Sequence, residues 1–169
     1  VDAGRILIDE QDIAQVTQES LRRQIGMVTQ DTSLLHRSIR ENLLYGRPDA
    51  SENEMRDAAH WARADEFIDG LRDRDERSGY DVEVGERGVK LSGGQRQSLS
   101  LVMAVSTSPQ LLLLDEHTAA LDPKTADLVM AATVRAIEKF KLTVLMVTHN
   151  MQHAIDFGHR VFMLDAGRV

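Results

Sequence analysis

Cysteine is absent from this 169-residue sequence, and aromatic residues make up only 4% of it. Without thiols the chain has neither disulfides nor thiolate metal sites, which fits a reducing compartment. Its apolar runs are too short to cross a bilayer, and it shows no signal peptide. The 20 Lys and Arg residues are outnumbered by 27 Asp and Glu residues and are scattered along the chain. This charge distribution argues against a nucleic-acid-binding surface.

What the sequence does contain is enough apolar material for a folded domain. Hydrophobic residues make up 42% of the chain, and the net charge is only -7. A chain of this length and composition predicts one ordinary soluble domain with its own core. Any role at a membrane would then have to come through a partner or a segment outside this sequence.

One short segment, Leu91 to Gln95, predicts a phosphate contact. It reads Leu-Ser-Gly-Gly-Gln and precedes a predicted helix that extends to about Ser106. A pair of glycines before a helix leaves backbone N–H groups open toward an anion, with the positive end of the helix dipole behind them. A bare Ser-Gly-Gly is more often a flexible loop, so this motif needs support from its surroundings.

Support comes from a run of four leucines, 111 to 114, which is followed at once by Asp115 and Glu116. A short apolar run that ends in two carboxylates predicts a buried parallel strand, which carries them to the sheet edge where open α/β folds bind ligands. One carboxylate can hold Mg²⁺ and the next can activate a water molecule. The pair therefore indicates phosphoryl chemistry.

In this order, these residues resemble the ATP-binding cassette (ABC) ATPases, the motor domains of ABC transporters. Leu91 to Gln95 matches the family signature, Leu111 to Glu116 its Walker B strand with the catalytic glutamate, and Ala119 to Asp122 its D-loop. Gln30 follows a predicted strand, as the glutamine of the family's Q-loop does. His149 follows another strand, as the family's switch histidine does.

The resemblance implies a set of roles in a head-to-tail pair of ABC domains with ATP and Mg²⁺ as cofactors. By these roles Ser92, Gly93 and Gly94 hold the γ-phosphate of the partner's ATP, and Gln95 contacts nucleotide. Asp115 and Gln30 bind Mg²⁺ at the domain's own site. Glu116 is the general base, His149 positions the γ-phosphate, and Asp122 joins the two sites. The other implied partners are the transmembrane domains of a transporter. The domain would lie on the cytoplasmic face of the membrane.

The expected fold is α/β, with an incomplete parallel sheet flanked by helices in a P-loop NTPase-like ABC core, and a helical subdomain beside it. Residues 1–30 form core strands leading to the Q-loop, 31–90 the helical subdomain and X-loop, and 91–169 the remaining core. The predicted strands are Gly4 to Asp9, Ile25 to Thr29, the leucine run, and Thr143 to Val147, and the predicted helices include Ser51 to Gly70 and Pro123 to Phe140. The charged run from Leu71 to Gly79 is predicted to be a solvated loop.

The sequence contains no GxxxxGK[ST] pattern, the P-loop that cradles the triphosphate. In the resembled family it precedes the strand predicted around Ile6, so we expect the chain to be a fragment that is inactive by itself. His117 replaces an alanine common in exporters and receives no catalytic role. The other histidines show no metal-ligand spacing, and Trp61 is expected to pack rather than bind a ligand.

The two halves resemble different branches of the family. Residues 1–90 look like exporters, in particular Asp81 to Gly88, which resembles the X-loop that touches transmembrane helices. Residues 100–169 look like the separate ATPase subunits of importers. Two explanations are open: a chimeric or mis-joined chain with a junction near Leu91 to Leu101, and a divergent natural domain. So are a soluble ABC ATPase without a transport role and a truncated or chimeric fragment without activity.

Overall fold

A computed structural model describes residues 4–85, 89–166 and 168 of the chain. Its strands are β1 (Leu7–Ile8), β2 (Gln11–Asp12), β3 (Ile25–Val28), β4 (Leu111–Asp115) and β5 (Thr143–Val147). Its α-helices are α1 (Gln18–Arg23), α2 (Ile39–Leu43), α3 (Glu52–Trp61), α4 (Asp65–Ile68), α5 (Gly93–Ser106), α6 (Pro123–Phe140) and α7 (Met151–Phe157). None of the helices in these ranges is long and apolar enough to span a membrane.

The parallel sheet has the strand order β3-β4-β5, so the leucine strand lies in the middle. Leu111 is opposite Ile25 on one side and Thr143 on the other, and both neighbours run parallel to β4. Leu112 and Leu114 are fully buried because the central strand is covered by helices. Parallel pairing brings the carboxyl ends of all three strands to one edge, as the sequence predicted.

Helix α6 begins and ends where its sequence signals place the boundaries. Asp122 caps the helix by accepting a hydrogen bond from the Thr125 amide, and Pro123 occupies the first turn, where no N–H is needed. The helix ends at Lys141, which adopts a left-handed conformation with φ of 53°. The chain then turns directly into β5. This strand-helix-strand unit agrees with the sequence prediction, except that β4 extends one residue past the leucine run, to Asp115.

The helix predicted for Ser51 to Gly70 is wrong in one respect, because the structure divides it into α3 and α4. Arg63 has a φ of 55°, and the amide of Ala64 donates to the carbonyl of Ala59 at 2.8 Å, which closes α3. The turn buries Ala62 and Ala64 completely in the core. Burial of these small residues therefore overrides the helical propensity of the segment.

Trp61, at the end of α3, packs beside α6, as expected. The Lys139 Nζ atom lies 4.8 Å from the centre of its ring, and the Arg135 guanidinium lies 5.7 Å from it. These cation–π contacts connect the helical part of the chain to the helix that follows the D-loop.

The loop from Leu71 to Gly79 is present, but it is more ordered than a solvated loop. The Asp73 side chain is only 4% exposed and accepts a hydrogen bond from the Arg77 guanidinium at 2.8 Å. Arg77 also bonds Glu83 at 2.6 Å. The density of charged residues predicts an exposed loop, but it does not show that these charges pair with one another.

The first predicted strand is shorter than expected and does not join the parallel sheet. Only Leu7–Ile8 is a strand, and it pairs antiparallel with β2. One face of the parallel sheet is left open in the described residues, so Met27 and Leu145 are 52% and 57% exposed. The fold class nevertheless agrees with the prediction: a partial parallel sheet flanked by helices.

Candidate functional site

Glu116 and His149 leave the sheet at the ends of adjacent strands. Glu116 has a φ of 44°, a left-handed conformation that is uncommon for a residue with a side chain. Its amide donates a 2.9 Å hydrogen bond to the carbonyl of Val147, the last residue of β5. This bond ties the start of the loop after β4 to the end of β5, and so directs the Glu116 side chain toward the segment that carries His149.

The two side chains meet in an open cavity. The Nδ1 atom of His149 lies 3.3 Å from Oε1 of Glu116, and the side chains are 69% and 33% exposed. The cavity, of about 210 Å³, is also lined by Thr118, Thr148 and Asn150. A partly exposed carboxylate beside an imidazole can accept a proton from water while the imidazole orients the group that the water attacks. The structure therefore brings together the two residues predicted to be catalytic.

The signature segment begins α5 with a capping box. The Ser92 Oγ accepts from the amide of Gln95 at 3.2 Å, and the Gln95 Oε1 accepts from the amide of Ser92 at 2.9 Å. In this conformation both side chains stabilise the start of the helix. Their predicted contacts with nucleotide remain predictions.

The signature glycines serve a packing role that the sequence analysis did not foresee. A Cβ added at Gly93 would lie 3.0 Å from Cδ2 of Leu121, and one at Gly94 only 2.4 Å from Cγ2 of Thr125. Both neighbours belong to the D-loop or the first turn of α6. The absence of side chains thus allows the start of α5 to approach the D-loop closely, in addition to leaving its N–H groups open.

Asp115 and Gln30 are at the same edge of the sheet, where they fit a magnesium site. Asp115 ends β4, and Gln30 comes two residues after Val28, which is paired with Leu114 in the neighbouring strand. A carboxylate and an amide oxygen are hard ligands of the kind Mg²⁺ prefers, and this ion usually takes only one or two carboxylates, with water and phosphates completing its shell. Within residues 4–85, 89–166 and 168 there is no cluster of three or more metal-ligating side chains. The pair fits Mg²⁺ bound together with a nucleotide better than an all-protein metal cage.

Four of the predicted site residues line two neighbouring cavities. Gln30 and Gly93 line the second, of about 180 Å³, while Glu116 and His149 line the first. Leu121 lines both. Among the described residues, neither lining includes Asp115, Ser92, Gly94, Gln95 or Asp122.

Asp122 has a structural role in addition to its predicted role between two sites. Its carboxylate caps α6, and hydrogen bonds from the side chain and backbone of Thr125 hold the pKa of Asp122 below its ordinary value. The residue is thus held as an anion at the positive end of the helix dipole.

His117 is buried behind the catalytic candidate Glu116, although the sequence analysis gave it no catalytic role. Its Nε2 atom lies 3.3 Å from the Thr133 Oγ1, whose hydroxyl donates to the carbonyl of Val129 at 2.8 Å. Burial, together with repulsion from His153, lowers the pKa of His117 to about 4. The ring is therefore neutral at pH 7 and connects the loop after β4 to α6.

Sequence reasoning missed Gln97, a residue of α5. Its side chain is 4% exposed, and its Nε2 donates to the carbonyls of Thr29 and Gln30 at 3.0 and 2.8 Å. A polar residue on the buried face of a helix was the only available signal. Its partners are 67 and 68 residues away in sequence, so local patterns could not identify them.

Comparison with known proteins gives a consistent set of relatives. The family model "ABC transporter" matches residues 1–119. An uncharacterized ABC transporter ATP-binding protein of Haemophilus influenzae is 48% identical over 98% of this chain and 26% of its own length. The beta-(1→2)glucan export ATP-binding/permease protein NdvA of Rhizobium johnstonii is 44% identical over 98% of this chain and 27% of its own length. The chain thus spans about a quarter of the length of these curated relatives.

The structural comparison agrees. A bacterial Atm1-family ABC exporter with ATP bound matches 91% of this chain and 26% of its own chain, with a TM-score of 0.77 and 40% identity. Because single relatives cover nearly the whole chain, residues on both sides of Leu91 to Leu101 align with the same proteins. Because the family model matches residues 1–119 and a relative 48% identical covers 98% of the chain, the chain belongs to the ABC transporter family.

Proposed function

We propose that this chain forms part of the ATP-binding and ATP-hydrolysing domain of an ABC exporter. The observation that carries the proposal is the pair Glu116 and His149, 3.3 Å apart at the carboxyl edge of the parallel sheet, directly after Asp115. The relatives with export functions in their names support transport, and favour it over a soluble ABC ATPase without a transport role.

In this proposal each residue acts on a nucleotide bound at the sheet edge. Glu116 accepts the proton of the attacking water, and the adjacent His149 orients the γ-phosphate. Asp115 and the Gln30 side chain hold Mg²⁺, which when bound supplies charge neutralisation on the phosphates. The open N–H groups of Gly93 and Gly94 face the γ-phosphate of the ATP on a second domain.

A head-to-tail pair of ABC domains is therefore the proposed assembly. Residues 31–90 would form the subdomain facing the transmembrane partner, with 1–30 and 91–169 in the core. The predicted X-loop contact includes residues 86–88, which are outside the described residues. The proposed location is the cytoplasmic face of the membrane.

Replacement of Glu116 by Gln tests the assignment of the base. In the complete protein we expect Glu116→Gln to lower ATP turnover by roughly 10²- to 10⁴-fold, the usual cost of losing a general base, with ATP binding retained. Glu138→Gln, on the exposed side of α6, is the matched control and should leave turnover unchanged. Steady-state phosphate release and nucleotide binding measure both effects. Normal hydrolysis by the Glu116 variant would show that the assigned base is wrong.

The 169 residues by themselves are expected to be inactive. They contain no GxxxxGK[ST] pattern and thus no Lys to contact the β- and γ-phosphates. Measurable Mg²⁺-dependent ATPase activity of the purified 169-residue chain would contradict this part of the proposal.

A further inference from the structure

Gln97 makes the only side-chain hydrogen bonds between α5 and the start of the Q-loop among the described residues. Its Nε2 donates to the carbonyl oxygens of Thr29 and Gln30, at 3.0 and 2.8 Å. We call these two hydrogen bonds the Gln97 bridge. The bridge uses both amide hydrogens of one side chain to hold two successive peptide units.

The orientation of the amide is determined by its surroundings. If it were turned over, the Oε1 of Gln97 would face two carbonyl oxygens and no donor. In the observed orientation Oε1 is buried and lacks a hydrogen-bond partner within the described residues. A buried acceptor without a partner costs free energy, so this side chain is not one that packing alone would select.

The neighbourhood of the bridge is the cavity that Gln30 shares with Gly93. The Thr32 Oγ1 in the same lining is also buried, with no hydrogen-bond partner among the residues that the structure describes. Gln97 is thus the only member of this lining whose side chain bonds the Q-loop backbone in the described structure. It sits one helical turn after the signature glycines.

We infer that Gln97 is a positioning residue for the proposed ATPase site: it holds the backbone of Gln30 so that the Gln30 side chain reaches the metal-bound nucleotide. This inference rests on the proposed function. Because Gln97 belongs to α5, the position of Gln30 is tied to the helix that presents the signature segment to the second domain. Movement of α5 therefore moves Gln30.

The main test is a double-mutant cycle in the complete protein. Gln97→Met has nearly the same volume and no amide, and Gln97→Leu is a second apolar variant in case the first does not fold. Thr32→Val is the matched control, because it removes from the same cavity a hydroxyl that bonds none of the described residues. We expect Gln97→Met to raise the Mg²⁺ concentration for half-maximal ATPase activity, or to lower turnover, by roughly 10- to 100-fold, as for other residues that orient a metal ligand.

The Gln30→Ala background separates positioning from general stability. If Gln97 acts through Gln30, Gln97→Met has no further effect on Mg²⁺ dependence once the Gln30 side chain is gone. Full additivity of the two losses would overturn the inference, and so would a Thr32→Val loss equal to that of Gln97→Met.

Amide hydrogen exchange gives a readout that needs no ATPase activity. In the nucleotide-free protein, Gln97→Met should speed exchange at Asp31 to Ser33 and leave the amides of β4 unchanged. Unchanged exchange at the Q-loop would overturn the inference even in an active protein. A wild-type protein that hydrolyses no ATP would overturn the proposed function, while the exchange result would still decide whether the bridge holds the Q-loop.

Discussion

Replacement of Gly94 by Ala tests whether the signature segment is in direct contact with the first turn of α6. The new Cβ would lie 2.4 Å from Cγ2 of Thr125, far below a normal carbon–carbon separation of about 3.5–4 Å. Thr125 cannot easily move away, since a β-branched side chain in a helix has few rotamers and its amide is bonded to Asp122. The start of α5 or of α6 must therefore shift.

The expected cost follows from the same contact. Overpacking of this kind costs about 1–3 kcal/mol, and the Gly-to-Ala gain in helix propensity offsets about 1 kcal/mol of it. In a Thr125→Ser background the clashing methyl is gone, and the next nearest atom, Thr125 Cβ, is 3.9 Å away. Gly94→Ala should then be neutral or slightly stabilising. The coupling energy between the two positions is thus about 1–3 kcal/mol.

Urea unfolding of the ATP-binding domain in the complete protein measures this cycle, with midpoints compared at constant slope. Thr125→Ser keeps the helical backbone and the amide that caps α6, so it is a suitable reference. Equal costs of Gly94→Ala in both backgrounds would refute the claimed contact. ATPase activity of the same variants then shows whether removal of the clash also restores the function of the signature segment.

Two further predictions concern the sheet and the loop behind the site. Gly26→Ala should lower the free energy of unfolding by about 1–3 kcal/mol, because its Cβ would lie 2.7 Å from the backbone carbonyl oxygen of Ala104; Met27→Ala, at an exposed position, should change it by less than about 0.5 kcal/mol in the same denaturation assay. Folding lowers the pKa of His117 from 6.5 to about 4. The contribution of the neutral ring to the free energy of unfolding is therefore fully present above pH 6.5 and is lost as the pH falls through 4, by roughly 3 kcal/mol at most. His117→Leu should flatten this part of the stability curve measured between pH 7 and 4, and an unchanged curve would contradict the assignment.

The strand-helix-strand unit that carries the catalytic candidates could be predicted because its signals are local. A short run of four leucines that ends in two carboxylates favours a buried strand, and Asp122 with Pro123 specifies a helix start. The end of α6 and the start of β5 follow from a change in hydrophobic period. The fold class and the edge that carries the site are determined by these few residues.

The remaining features depend on contacts that no local pattern reveals. Arg63 adopts a left-handed turn without the Gly or Asn that normally announces one, so the end of α3 was not predicted. Helix α7 is an exception, because its start has a local signal: Asn150 caps it by accepting from the amides of Gln152 and His153. The close approach of Gly94 to Thr125 and the Gln97 bridge join segments distant in sequence, and only the folded structure shows them.

The hydrogen bond from the Glu116 amide to Val147 also has a consequence for biosynthesis. Glu116 is translated before β5, but its backbone amide bonds the carbonyl of Val147, the last residue of that strand. In a nascent chain that has emerged only as far as β4, the Glu116 amide therefore lacks the hydrogen bond that orients this residue. The Glu116–His149 pair can form only after the ribosome has also released α6 and β5, because His149 follows β5 in the chain.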